Sequence, residues 1–339
     1  MTRQEARDQF IKTAGWASAQ VIPLAGDASN RRYLRLRSGE GSTAVVMDAP
    51  PDRGEDVRPF VSIAEHLYRS GLSAPKIIAQ DAESGFLLIE DLGDALFAKE
   101  MERDPNLIAP LYEAATDVLT YLHGVNAPPL SVYDSATTVP LAALAFDWYQ
   151  LGATGAVDRA AKSEFCEAFE AVIKPYDSDL SVLIQRDYHA ENLIWLPQRE
   201  GVARVGLLDF QDAMIGHAAY DLVSILQDAR RDVGADIEAR MLDRFIAKNA
   251  LVRDDFLAAY AVFGAQRNLR ILGVFARLCL RDRKAHYVDM IPRVWGHVQT
   301  NLRHPALRNV ARILNASLPA PTDDVLKTLT AKCGSCSGP

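Results

Sequence analysis

The chain has 339 residues, 49% of them hydrophobic and 24% charged, which suits a globular protein of two domains, or of one domain in two lobes. A net charge of −7 argues against a general nucleic-acid binder, which needs a basic face to displace counterions, but leaves room for a nucleotide ligand. No apolar run reaches the roughly 18–20 residues that span a bilayer, and the first residues lead into charged helical sequence without a secretory apolar core, so the cytoplasm is the expected compartment.

In chain order, the pattern predicts a helix over 4–14 and a strand over 20–24. A polar turn follows at Gly26, Asp27, Ala28, Ser29 and Asn30, then a second strand over 32–37, which makes a hairpin. A third strand is expected over 44–47, a helix over 59–69, and strands over 77–80 and 86–89. After Gly93 the character changes to long amphipathic stretches: 107–123, 161–173, 218–231, 237–248, 254–280 and 284–297. One β-rich island interrupts them, 182–208, with short strands at 192–196 and 205–208. The expected architecture is α+β, with a sheet-rich lobe over 1–92, a helical lobe over 93–318 and a peripheral tail over 319–339. Cys166 and Cys279 read as small buried hydrophobes. Cys333 and Cys336 form a lone pair at the mobile-looking end, with no second pair or histidine nearby to complete a zinc site.

The island carries the chemistry. An apolar strand leads into Arg186-Asp187-Tyr188-His189-Ala190-Glu191-Asn192, and a second apolar strand delivers Asp209-Phe210-Gln211. Phosphoryl transfer asks for such a set, because its loose transition state is served mainly by positioning and by cations. A carboxylate beside the acceptor hydroxyl can take its proton. An amide oxygen and a second carboxylate on adjacent strands can hold Mg²⁺, which prefers oxygen. Singly, each motif could be a turn or a helix cap; their ordered pairing favours the catalytic reading.

These segments resemble the catalytic loop and metal motif of the aminoglycoside phosphotransferase and choline kinase superfamily, relatives of the protein kinases, and the resemblance runs from about residue 14 to 318. Gly26–Tyr33, Val46–Pro51, Arg186–His189 and Tyr220–Ser224 are further similar to one branch, the bacterial cell-wall-recycling kinases that phosphorylate the anomeric hydroxyl of N-acetylmuramate and N-acetylglucosamine. The resemblance implies a protein-kinase-like two-lobed fold with ATP and Mg²⁺ between the lobes. It implies Asp187 as base and Asn192 and Asp209 as metal ligands. The turn of Gly26, Asp27, Ala28, Ser29 and Asn30 would cover the ATP phosphates, and Glu90, Asp91 and Leu92 would form the hinge that meets adenine. Asp221 would brace the catalytic loop, with a helix N-cap as its other reading.

One departure stands out. The third strand, Ala44-Val45-Val46-Met47-Asp48, lacks the lysine that reaches the α- and β-phosphates in protein kinases. Arg32 and Arg35 on the preceding strand are the candidate replacements; alternation lets only one face the phosphates, and Arg32 is favoured. For the acceptor, Tyr188, His189 and Glu191 lie in the loop itself. Arg267 could meet a sugar acid's carboxylate, or serve an ion pair or a solvated helix face. Trp148 could stack on a sugar, or fill a core. The expected partners are ATP and a small-molecule acceptor, an amino sugar first, with no nucleic acid or membrane. An aminoglycoside, homoserine or choline acceptor is the alternative, and a non-catalytic nucleotide-binding scaffold is a third reading.

Overall fold

The computed structural model describes residues 2–24 and 30–335. In chain order it contains α1 (Arg3–Thr13), β1 (Gln20–Pro23), β2 (Arg32–Arg37), β3 (Thr43–Asp48), α2 (Arg58–Arg69), β4 (Ile77–Asp81), β5 (Phe86–Glu90), α3 (Phe97–Arg103) and α4 (Ile108–His123). Next come α5 (Ser135–Ala142), a π-helical stretch (Ala145–Gln150) that runs into α6 (Leu151–Thr154), α7 (Arg159–Ile173), β6 (Val182–Ile184), β7 (Leu193–Trp195), β8 (Val205–Leu207) and β9 (Met214–Gly216). The remainder is helical: α8 (Ala219–Leu226), α9 (Ala235–Lys248), α10 (Arg253–Leu280), α11 (Ile291–Leu302), α12 (Arg308–Ser317) and α13 (Asp323–Ala331). The chain divides into two compact units. Residues 1–121 and 187–213 form one, and 122–186 with 214–339 form the other.

In the first unit, α1 opens on a capping box in which Thr2 and Glu5 satisfy each other's backbone N–H groups. The five strands make an antiparallel sheet in the order β1-β2-β3-β5-β4. Strand alternation sorts the two faces. Leu34, Leu36, Ala44, Val46 and Leu88 pack with Ile11, Phe10 and Trp16. Tyr33, Arg35, Val45 and Ile89 point the other way and line a cavity. Each fully buried Leu or Val of the first face contributes roughly 1.5–3 kcal/mol. The antiparallel pair β7–β8 belongs to the same unit and is tied to it by a bridge from Ser73 to Gly206.

In the second unit, the 28-residue α10 is buried along most of its length and packs against α5, α8, α11 and the π-helical stretch. Gly273 permits one of these approaches, since a Cβ there would lie 2.4 Å from the carbonyl carbon of Leu144. Polar side chains inside this unit find each other: Asn268 and Asn301 both donate to Gln227 Oε1, at 2.7 and 2.8 Å. Strands β6 and β9 pair antiparallel here.

Two helices depart from expectation for local reasons. The predicted 218–231 helix stops at Leu226, and just beyond it Asp228 Oδ1 accepts the N–H of Arg230 at 2.9 Å, a local bond that competes with helix. The predicted 284–297 helix is a 3₁₀ turn (Ala285–Met290) followed by α11, which carries Pro292 in its first turn. The stretch expected as a peripheral tail holds α13, and Leu329 is fully buried there. Among the described residues no helix is long and apolar enough to cross a membrane.

Candidate active site

The loop between β6 and β7 is held at its entry by a buried carboxylate. Asp221, fully buried in the first turn of α8, accepts the backbone N–H groups of Gln185 at 2.6 Å and Arg186 at 2.9 Å. Ala218, not Asp221, occupies the N-cap position of that helix. Ser224 Oγ donates to the Arg186 carbonyl at 3.3 Å, and the Arg186 guanidinium lies 5.4 Å from the centre of the Tyr133 ring. These contacts hold Arg186 at φ 70°, a left-handed conformation that costs a non-glycine residue of order 1–3 kcal/mol. Asp187 follows directly.

The β7–β8 ladder then sets the next two side chains abreast. It pairs Leu193 with Leu207 and is extended by Leu208 N–H donating to the Asn192 carbonyl at 3.0 Å. Asp209, the next residue, has φ 56°, so the chain turns sharply as it leaves the strand. Asn192 Nδ2 donates to the Asp187 carbonyl at 2.9 Å and lies 3.4 Å from Asp209 Oδ2. Gln211 Nε2 donates to Asp209 Oδ1 at 2.9 Å. Asp187, Asn192 and Asp209, seventeen residues apart between the last two, are thereby brought into one cluster.

Asn192 and Asp209 also line the cavity under the sheet, whose volume is about 460 Å³. Leu24, Val45, Ile89, Leu92 and Leu208 give it apolar walls, and Glu90, Asp91 and Leu92 lie along its edge. That edge is fixed by arginines. Arg35 pairs with Asp91 at 2.7 Å and with Asp94 at 2.7 Å, and Arg199 pairs with Glu90 at 2.6 Å. The Asp94 carboxylate, receiving hydrogen bonds from Arg35, titrates below its ordinary range, and the Arg35 guanidinium is pushed correspondingly up by Asp94 first and Asp91 next. Gly206 lies beneath Leu92 and Ile194, where a Cβ would approach both to 3.1 Å. A larger open groove, about 620 Å³, runs along residues 123–130 in the second unit, and no carboxylate lines it.

Several expected site residues stand elsewhere. Arg32 is exposed and shares its strand parity with Leu34 and Leu36, whereas the cavity face of β2 carries Tyr33 and Arg35. Arg35 is engaged by its two aspartates. The cation that reaches the metal-motif carboxylate is Arg31, whose Nη2 lies 3.4 Å from Asp209 Oδ1. Strand parity could have excluded Arg32, but Arg31 lies before the strand, where parity says nothing. Lys99 of α3 also lines the cavity and carried no sequence signal. Tyr188 is buried with its hydroxyl on the Ala115 carbonyl at 2.9 Å, a structural role and not an acceptor contact. His189 is buried with Nε2 3.3 Å from Asn192 Nδ2, and Glu191 is exposed. Trp148 is 5% exposed and Arg267 3%; the first is core, and the second does not sit on a solvated face. Gly26, Asp27, Ala28 and Ser29 lie outside the described residues, as does Cys336. Asn30 is tied down, its N–H donating to Glu55 at 3.1 Å and its side chain to the Arg53 carbonyl at 3.3 Å.

The antiparallel sheet, the paired strands and the convergence of Asp187, Asn192 and Asp209 are what a kinase-like phosphotransferase would need, and the chain belongs to the phosphotransferase enzyme family, whose model matches residues 20–268. It is 38% identical to an N-acetylmuramate/N-acetylglucosamine kinase of Caulobacter vibrioides over 94% of this chain and 98% of that one. It is 35% identical to the enzyme of the same name from Pseudomonas aeruginosa, over 92% and 93%. Among solved structures, a choline kinase from Streptococcus pneumoniae shares the fold with a TM-score of 0.59 at 14% identity, over 88% of this chain and 99% of that one.

Proposed function

We propose that this protein transfers the γ-phosphoryl group of ATP to the anomeric hydroxyl of N-acetylmuramate or N-acetylglucosamine, as a cytoplasmic step in cell-wall recycling. The observation that carries the kinase reading is the convergence of Asn192 on Asp209 at 3.4 Å in a cavity that Glu90, Asp91 and Leu92 also line. The names of the two relatives at 38% and 35% identity support the choice of sugar.

The donor set fits Mg²⁺. Among the described residues no three His, Cys, Asp or Glu side chains converge. Two protein oxygens, with waters and phosphate oxygens for the rest, is the arrangement this ion accepts. Asn192 Nδ2 is spent on the Asp187 carbonyl at 2.9 Å, so the amide oxygen is the atom that would meet the ion. Held by Asn192 and Asp209, Mg²⁺ would supply charge neutralisation to the nucleotide phosphates. The apolar walls would take the adenine, and the backbone of Glu90, Asp91 and Leu92 its polar edge. Asp187, presented by the braced turn, would accept the proton of the sugar hydroxyl as that oxygen bonds to the γ-phosphorus. The bond from phosphorus to the β–γ bridging oxygen breaks, and ADP leaves with the electron pair.

The test is ATP consumption with Mg²⁺ against N-acetylmuramate, N-acetylglucosamine, glucose, kanamycin, choline and homoserine, with products identified by phosphorus NMR. A sugar 1-phosphate from the N-acetylated sugars is expected. Turnover on an amine with silence on those sugars would refute the acceptor, and binding of ATP without turnover on any acceptor would refute catalysis.

A further inference from the structure

The third strand lacks the lysine that protein kinases carry there, and three cations stand close enough to be weighed as its replacement. Arg35 is spoken for by Asp91 and Asp94 at the hinge. Lys99 lines the same cavity, and its charge acts on Asp94. Arg31 alone of the three is paired with Asp209, Nη2 to Oδ1 at 3.4 Å. Its Nε lies 3.8 Å from Glu55 Oε2, and the other oxygen of Glu55 accepts the Asn30 N–H at 3.1 Å. The carboxylate of Glu55 therefore holds both the backbone just before Arg31 and the guanidinium itself, and the Arg31 side chain is only 12% exposed.

We propose that Arg31, steadied by Glu55, is the phosphate-neutralising cation of this kinase, and that it rests on the metal ligand Asp209 until metal and nucleotide bind together. This deepens the kinase reading above and rests on it. A separation of 3.4 Å is long for a charge-assisted bond, whose usual range is about 2.7–2.9 Å, so the pair is one that a divalent ion can part. Parting it without a nucleotide leaves Arg31 with one partner fewer. With a nucleotide present, the released guanidinium gains phosphate oxygens, to which its planar fork is well suited. Metal and nucleotide should consequently help each other to bind, because each removes a cost borne by the other.

The experiment measures Mn²⁺ binding to the full chain by electron paramagnetic resonance, with and without a non-hydrolysable ATP analogue, beside kcat and KM for ATP. In the unaltered protein Mn²⁺ should bind weakly alone and on the order of tenfold or more tightly with the analogue. Arg31→Met should bind Mn²⁺ more tightly alone, lose most of the gain from the analogue, and show a raised KM for ATP with a lowered kcat. Arg31→Lys, which keeps the charge, should restore part of the coupling, and it carries the test if the methionine variant fails to fold. Unchanged Mn²⁺ affinity and unchanged coupling in Arg31→Met, or a loss of coupling in Arg31→Lys equal to that of the methionine variant, would overturn the proposal. Asp209→Asn is the separate control: normal Mn²⁺ binding there would remove the metal site itself, and with it the kinase reading, whatever Arg31 does.

Discussion

Replacing Asp221 with alanine tests how the catalytic loop is held. The change removes the acceptor of two backbone N–H groups, those of Gln185 and Arg186, from a site with no exposure to water. Each buried donor left without a partner costs about 1–3 kcal/mol. Part of that is returned because a buried carboxylate no longer has to be kept out of water. The net loss should be about 2–4 kcal/mol, which at roughly 2 °C per kcal/mol for a chain of this length lowers Tm by about 4–8 °C. Activity should fall further than stability suggests, since Arg186 is held at φ 70° immediately before Asp187 and a displacement of about 1 Å at a catalytic group can cost on the order of a hundredfold. Calorimetry and steady-state kinetics on the same preparation read both effects. Asp221→Ser separates the brace from a helix cap: serine caps helices well, yet its short side chain cannot meet both N–H groups. Wild-type Tm and kcat in Asp221→Ala, or full recovery in Asp221→Ser, would refute the reasoning.

Asp187→Asn should lower kcat by several orders of magnitude while nucleotide affinity, read by calorimetric titration, stays within about twofold; turnover near wild type would remove the base assignment. Trp148→Ala should lower stability by about 3–5 kcal/mol, as for other buried large-to-small changes, and leave the acceptor KM unchanged among the molecules that remain folded. A large rise in that KM with normal stability would put the ring back in the sugar site. Stability should also fall with acid between pH 7 and 5. Burial pushes His123 and His217 down to about 4, so the unfolded chain takes up protons first, near the ordinary value of about 6.5. Their contribution is complete above that value and is lost as pH falls from 6.5 towards 4, at up to about 1.4 kcal/mol per pH unit for each histidine. Equal urea midpoints at pH 7 and pH 5 would refute it.

Much of this was legible because strong local signals agreed with the tertiary structure. The alternating residues of 32–37 gave β2 its bounds, and the apolar run of 254–280 gave α10 to within one residue at its start. The proximity of Asp187, Asn192 and Asp209 was readable because they sit beside the ends of apolar strands, where a polar residue has to be placed for a reason. What escaped were features decided at a distance. Strand β9 exists because Met214–Gly216 finds β6, and its three residues carry no periodicity. Strand parity bears on Arg32 but not on Arg31, which lies before the strand, so only the position of Asp209 picks Arg31 out. Tyr188 was read by side-chain chemistry, but the packing around it, seen only in three dimensions, makes it core; for Trp148 the core was already one of the two readings, and it is the one its burial supports. Helix α13 was missed because Pro, Thr and Gly near it read as punctuation, while the hydrophobic contact it serves, Leu329 beside Gly152, is remote in the chain.

Neither compact unit is a continuous piece of chain, and this bears on the order in which the protein can be made. The first unit is missing residues 187–213 until residues 122–186 of the second have been synthesised, and the second cannot close the β6–β9 ladder before Met214–Gly216 has emerged. Asp187, Asn192 and Asp209 all lie in that segment. A ribosome-bound chain of about two hundred residues can therefore form the β1–β5 sheet and the hinge, but has no Asp209 to offer a metal. The contact of Ser73 with Gly206 closes a very long loop, and long-range pairings of this kind are slow to form. Completion of the site thus waits on this segment, which brings Leu208 of the apolar wall together with Asn192 and Asp209.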